Sequence, residues 1–190
     1  SFNEQGNIIA VSSYKNNSNR GIVKVFSISS NSLSQLGGVL RGDNLGDFFG
    51  DRVELNDAGN ILAISSTGSN SSAGHVSIYE FNSGAWQKLG SNIQGSNSEN
   101  SGIGLDLSSD GKTVAIGSPN YKKENSFNYP GRVRIYEYDE SASEWSQKAN
   151  LIGEGAGPDF GKSLSLNSDG TRIAIGAPKD NDSGVRAATG

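Results

Sequence analysis

Four times along the chain a short pattern recurs in which large aliphatic residues alternate with Ala, Ser or Gly. It reads Ile9-Ala10-Val11-Ser12, Leu62-Ala63-Ile64-Ser65, Val114-Ala115-Ile116-Gly117 and Ile173-Ala174-Ile175-Gly176. Alternate residues of a strand point to opposite faces, so each of these strands is bulky on one face and nearly bare on the other. A solvated face would carry Lys, Glu or Thr. A small apolar face instead admits the close approach of a second sheet, and the bulky face of one unit is expected to fill the bare face of another. Each large aliphatic buried this way is worth about 1.5–3 kcal/mol relative to exposure.

The pattern belongs to a longer repeat anchored on the turn glycines Gly6, Gly59, Gly111 and Gly170. A second block follows as GIVKVFSI (21–28), GHVSIYEF (74–81) and GRVRIYEY (131–138). A weaker third block runs LSQLGGVLRG (33–42), WQKLGSNIQG (86–95) and WSQKANLIG (145–153). A fourth leads back to the turn as GDRVEL (50–55), GIGLDL (102–107) and GKSLSL (161–166). Each has the period-two alternation and Gly, Asn, Asp or Ser boundaries of a strand.

One unit therefore carries four strand types: A (GDRVEL-like), B (the alternating strand), C (GxVxIYE) and D (the Trp or Leu strand). That is the content of a β-propeller blade. The expected fold is all-β, a propeller of four-stranded antiparallel blades, with about three and a half blades in one propeller region spanning 1–190. The unit boundaries fall near 1–49 (incomplete), 50–101, 102–160 and 161–190 (incomplete). Propellers close with about four to eight blades. The expectation is thus a partial propeller or fragment, completed by the remaining repeats of a longer chain or by a second copy closing the ring.

Composition narrows the function classes. A formal net charge of −4 gives no reason to expect nucleic acid or an anionic membrane as partner. With no cysteine, disulfides, thiolate metal sites and cysteine nucleophiles are excluded. No apolar run approaches the roughly 20 residues of a membrane span. The richness in Gly, Ser and Asn points to an extracellular, cell-surface or secreted location.

Phe160-Gly161 followed by Gly176-Ala177-Pro178, and Phe49-Gly50 followed by Ser65-Ser66-Thr67, resemble the FG-GAP repeats of integrin α-subunit propellers and their bacterial surface relatives. The third unit departs, with Ser101-Gly102 and Gly117-Ser118-Pro119. The resemblance implies a propeller whose loops bind protein or glycan without catalysis. The calcium loops of that family do not carry over. LNDAGN, LSSDGK and LNSDGT hold one or two carboxylates each, where a hard cation needs six to eight oxygens. Asp110-Gly111 and Asp169-Gly170 read as hairpin turns with glycine at positive φ.

Several residues stand out as candidates. The most acidic connector, GDNLGDFFGD (42–51), offers Asp43, Asp47 and Asp51 as Ca²⁺ ligands, against the plainer reading of a Gly-rich loop with Phe49 plugged between blades. No other cofactor is expected. The long loop 119–131 carries Tyr121, Lys122, Lys123, Phe127 and Tyr129, aromatics with cations that suit a protein or glycan contact. Asn16, Asn70 and Asn181 head N-x-S sequons, all in loops between strands B and C. His75, the sole histidine, reads as an ordinary surface residue. Trp86 and Trp145, with Leu33 in the first unit, repeat at the start of strand D as packing positions. No acid pair is singled out by spacing, and no catalytic residue is assigned.

The leading expectation is a non-enzymatic module for adhesion, protein–protein interaction or structural surface assembly. The alternative is a carbohydrate-binding, lectin-like propeller. A propeller hydrolase is the third reading, and it requires carboxylates at the central channel.

Overall fold

The computed structural model describes residues 1–30, 32–96, 98–124, 129–154 and 159–179. The fold is all-β, and four antiparallel sheets follow one another along the chain. The first holds β1 (Ile8–Ser13), β2 (Ile22–Ser29) and β3 (Ser32–Arg41). In the second, β4 (Phe49–Leu55), β5 (Ile61–Ser66), β6 (His75–Asn82) and β7 (Ala85–Lys88) run in that order, and β8 (Ile93–Gln94) also pairs with β6. The third holds β9 (Gly104–Leu107), β10 (Thr113–Ser118), β11 (Arg132–Asp139) and β12 (Glu144–Ile152), and the fourth β13 (Ser163–Leu166) and β14 (Ile173–Gly176). Phe2 bridges Ile9 where the first sheet would have a strand A.

Strands β4, β9 and β13 end their sheets on one side and pack beside one another, while β3 and β7 meet on the other side. The sheets therefore fan as blades around an axis lined by the A strands.

The two-faced strand explains how the blades stack. Ala10, Val23 and Val25 of the first sheet form one apolar cluster with Leu62, Ile64 and Trp86 of the second. Ala63, Val76 and Ile78 of the second sheet join Val114, Ile116 and Tyr136 of the third in another. The bare face of each blade thus receives the bulky face of the next. Ala63 and Ala115 are fully buried and Ala10 is 3% exposed, whereas Ala174, on the last sheet, is exposed.

Glycines set the blade spacing. The glycine opening strand A sits at positive φ in three units (Gly50 89°, Gly102 100°, Gly161 87°). A Cβ on Gly102 would lie 2.6 Å from Ser65 Cβ, and one on Gly50 2.8 Å from Ser12 Cβ. One on Gly161 would lie 2.8 Å from Val133 Cγ2 and 3.3 Å from Gly117 Cα. The small residue of strand B and the glycine of the next strand A are therefore one contact. At the outer edge, Trp86 donates its indole N–H to the Leu36 carbonyl (3.0 Å) and Trp145 to that of Leu89 (2.8 Å), so each tryptophan docks on the preceding blade.

The loops between strands B and C hold unusual backbone. Asn17, Ser18 and Asn19 have φ of 50°, 56° and 63°, and Asn70, Ser71 and Ser72 have 49°, 58° and 68°. These are left-handed turns of three non-glycine residues, each position costing about 1–2 kcal/mol. The turns aim carbonyls at the connector entering the next blade. Ser18, Asn19 and Arg20 accept from Gly46, Phe48 and Phe49, and Ser72 and Ala73 accept from Asn100 and Ser101. Local strain is thus offset by blade-to-blade hydrogen bonds. Ser71→Gly is expected to stabilise the protein by about 0.5–1 kcal/mol, the relief of φ exceeding the added freedom of the unfolded chain. The thermal midpoint of the variant checks this, and a fall would contradict the strain reading.

Candidate functional site on the axial side of the arc

Strand A alternates like strand B. Val53 and Leu55 pack toward the preceding blade, so Arg52 and Glu54 face the opposite way, toward the third sheet. Arg52 Nε donates to the Ile103 carbonyl at 3.0 Å. Asp106 occupies the place of Glu54 one blade on. Its Oδ2 accepts the Leu166 N–H of the fourth sheet at 2.6 Å, and its Oδ1 accepts the Leu107 N–H at 3.0 Å. A carboxylate thus caps the axial edge of the following strand, which pairs there with no further strand among the described residues.

Burial pushes the Glu54 carboxyl above its ordinary pKa. The hydrogen bond from Ser1 opposes that rise and the charge of Asp106 adds to it. Beside these groups a polar cavity of about 350 Å³ is lined by Glu4, Asp57, Asp106, Ser109, Ser165 and Asn167, among others, residues drawn from every unit of the repeat. Convergence of all four units on one cavity marks it as an axial mouth.

A raised carboxyl pKa has a stability consequence with a definite sign. The folded state holds the Glu54 proton more tightly than the unfolded chain, so its contribution is fully present below the ordinary carboxylate range. It is lost as pH rises through the folded pKa. Glu54→Gln is therefore expected to raise the thermal midpoint at neutral pH, with the gain vanishing in acid. A midpoint difference that does not depend on pH would contradict it.

A second polar cluster lies on the loop face. Glu99 is wholly buried, and its Oε1 accepts from Arg132 Nη2 (2.6 Å) and Arg134 Nη2 (3.2 Å). Arg134 Nη1 donates to the Gln94 carbonyl and to Tyr136 Oη, and its Nη2 also donates to Ser101 Oγ. Tyr136 in turn donates its O–H to Gln147 Oε1 at 3.1 Å. Burial lowers the pKa of Arg134, an effect the nearby Glu99 opposes. The cluster pins the connector to strand C of its own blade.

The corresponding positions in the second blade are held by Asp47 and His75, and the histidine corrects its expectation. His75 is 7% exposed, not a surface residue, and its Nδ1 lies 2.7 Å from Ser69 Oγ. Burial lowers its pKa, against the charges of Asp47 and Asp43. Its repeat counterparts, Ile22 and Arg132, gave a mixed signal about burial.

The acidic connector does not gather its carboxylates. Asp47 is buried and accepts from the Asn44 N–H at 2.8 Å, and Asp51 accepts from Thr67 Oγ1 at 2.8 Å. Asp43 is exposed. Among the described residues no three His, Asp or Glu side chains come together as a metal site, so Asp43, Asp47 and Asp51 do not form the Ca²⁺ cluster considered above. Phe49 is buried between the first two blades.

On the long loop, the ring of Tyr121 lies 4.4 Å from the Arg132 guanidinium, a cation–π contact that joins it to the Glu99 cluster. Lys122 sits 5.7 Å from the Tyr129 ring, Lys123 is exposed, and Phe127 lies outside the described residues. Among the sequons, Asn16 is exposed, Asn70 donates its amide to Gln94 Oε1 at 2.9 Å, and Asn181 lies outside the described residues. Among the described residues no helix is long and apolar enough to cross a membrane.

No protein-family model and no curated protein matches the chain. Solved structures do. The chain is similar to a candidate 6-phosphogluconolactonase from Bacteroides fragilis (TM-score 0.57, 15% identity, 92% of this chain and 40% of that one). It is also similar to the periplasmic gluconolactonase PpgL of Pseudomonas aeruginosa (TM-score 0.53, 14%, 93% and 41%). A third likeness is to the β-propeller domain of the Trilobed protease from Pyrococcus furiosus, which has an open velcro topology (TM-score 0.54, 13%, 92% and 47%).

These likenesses correct the sequence-based expectations. Two of these three neighbours are lactonase-named and none is an FG-GAP integrin-type propeller, so the FG-GAP resemblance does not stand. The same names overturn the expectation of a non-catalytic adhesion or structural module, and nothing among them supports the lectin alternative. At this identity the likeness establishes the fold. The chain spans 40–47% of the length of these three structures and is an arc of a β-propeller.

Proposed function

We propose that this arc forms part of a propeller hydrolase that opens a small sugar-derived lactone at its axial mouth, with Glu54 as acid–base residue. One observation carries the reading. Glu54 is an axial carboxyl whose pKa is raised by burial, and the charge of Asp106, which lines the polar cavity, adds to that rise. A carboxyl tuned toward the working pH both accepts and returns a proton efficiently. The lactonase names of the neighbours support the substrate class.

In this mechanism Glu54 takes a proton from water as the oxygen attacks the lactone carbonyl. Arg52, two residues back on the same face, offers positive charge to the developing oxyanion. The ring C–O bond then breaks, and the proton on Glu54 passes to the departing alkoxide, leaving a hydroxy acid. Asp106 acts as a positioning residue by holding the fourth blade's strand A against the mouth. A location outside the cytoplasm belongs to the same proposal, supported by the periplasmic neighbour.

The test is acid release from glucono-δ-lactone and from its 6-phosphate, followed at constant pH and corrected for spontaneous opening. Glu54→Gln is expected to lower kcat by about 10²–10⁴-fold, while Glu140→Gln, on the outer hairpin, leaves the rate unchanged. No rate above the spontaneous one, or an unaffected Glu54→Gln variant, sinks the proposal.

A further inference from the structure

Among the described residues that line the axial mouth, every ionisable side chain is an acid. Glu4, Asp57 and Asp106 supply carboxylates, Ser109, Ser165 and Asn167 supply uncharged polar groups, and no lysine, arginine or histidine takes part. The fold holds these acids in place. Backbone hydrogen bonds link the turns between strands A and B from unit to unit. They run from the Glu4 N–H to the Asp57 carbonyl (3.3 Å), from Asp57 to Ser109 (3.2 Å) and from Ser109 to Ser168 (2.9 Å). Asp106, one strand in, has both oxygens fixed on the N–H groups of Leu107 and Leu166. Glu54 registers the field, since the charge of Asp106 adds to the rise in its pKa. Arg52 shares the strand face of Glu54, but its Nε donates to the Ile103 carbonyl and it is not among the lining residues.

A lactone is uncharged. The hydroxy acid it becomes gives its carboxyl proton to water at neutral pH and is an anion, and a phosphate monoester carries about −1.5 to −2 charges. Like charges in a cleft with low-dielectric walls focus their field, so fixed carboxylates treat these three species differently. We propose that the walls this chain supplies admit an uncharged lactone, turn away its phosphorylated counterpart and expel the carboxylate product, with Glu4 and Asp57 as charge-selecting residues. Specificity then comes from a repulsive element that only the wrong ligand meets. The same repulsion clears the mouth after each turnover. The substrate in this scheme rests on the lactone-opening reading, whereas the repulsion of anions needs only the lining.

Two nitroxide probes of equal size, one bearing a carboxamide and one a carboxylate, read the field without any turnover. At low salt the neutral probe is expected to enhance relaxation of the Ser109 and Asn167 amide protons by about threefold or more over the anionic one, as a potential of kT or above requires. The ratio falls toward unity at about 1 M salt, where charges are screened within about 3 Å. Glu4→Gln with Asp57→Asn lowers the ratio, whereas Glu140→Gln, which removes a charge from the outer hairpin, leaves it unchanged. In the acid-release assay the 6-phosphate is expected to be opened about tenfold or more less efficiently than glucono-δ-lactone. Gluconate added at the substrate concentration slows the double variant and not the wild type. Equal enhancement by the two probes overturns the inference, as does a faster rate on the 6-phosphate or inhibition of the wild type by gluconate. Anion exclusion with no rate above the spontaneous one sinks lactone opening and leaves charge selection standing.

Discussion

Gly95→Ala is expected to cost more than about 4 kcal/mol, the exceptional end of single substitutions, and so to remove most of the stability of a domain worth about 5–15 kcal/mol. A Cβ on Gly95 would lie 2.0 Å from the Ala73 carbonyl oxygen, 2.6 Å from Ser101 Cβ and 2.8 Å from the Gly74 carbonyl oxygen. Two of those three atoms are backbone and cannot swing aside. The same crossing recurs at Gly42, 2.2 Å from the Arg20 oxygen, and at Gly153, 2.1 Å from the Pro130 oxygen. At these points strand D of one blade leaves for the next beneath the loop between strands B and C, so separating the chains separates the blades. Gly84→Ala is the control. Its φ is +83° but nothing lies within 4 Å of the added Cβ, and the left-handed conformation alone costs about 1–2 kcal/mol. Denaturant midpoints of the two variants decide the matter, and similar losses would show that crowding at the crossing is not what holds the blades.

Glu99→Ala is expected to cost about 3–5 kcal/mol, the range for breaking a buried ion pair by removing one partner. The loss comes less from the missing attraction than from what is left behind. Arg132 and Arg134 have side chains 12% and 7% exposed, and they would face each other with no anion between them. Arg134 already suffers from burial, which lowers its pKa. Glu137→Ala breaks the pair with Lys148, whose side chains are 53% and 54% exposed, and is expected to cost under about 1 kcal/mol. A loss below about 1 kcal/mol at Glu99 would mean that the two arginines find other partners, contrary to the geometry.

The strands were legible because burial leaves a periodic mark. Ile64 and Ile116 must be large and Ala63 and Ala115 small, and the alternation shows that without coordinates. The Phe-Gly and Gly-Ala-Pro motifs were legible too, but their meaning was misread. Gly50, Gly102 and Gly161 are required wherever strand A passes close to the small residue of the previous strand B, so the motif follows from blade spacing and does not identify a family. His75 was misplaced because its counterparts, Ile22 and Arg132, differ in polarity. Glu54 and Asp106 went unnoticed because each is an acid in an otherwise alternating strand, 52 positions apart, and only the convergence of the A strands brings them near the same mouth. Tyr121 drew attention as a loop aromatic, and the stacking on Arg132 that gives it a place could not be read from the loop.

The amino-acid sequence by itself determined the unit: four short strands, their two-faced pattern, and the glycine turns that join them. Those are local consequences of side-chain size and φ, and they repeat because the same contact is made at each blade boundary. Tertiary structure alone decided which charges meet. The Glu99–Arg132–Arg134 cluster is set by how a connector folds onto strand C, and the axial carboxylates by the distance between separate blades. A charge carries no periodic signature, and its energy depends on what lies opposite and on how much water is excluded.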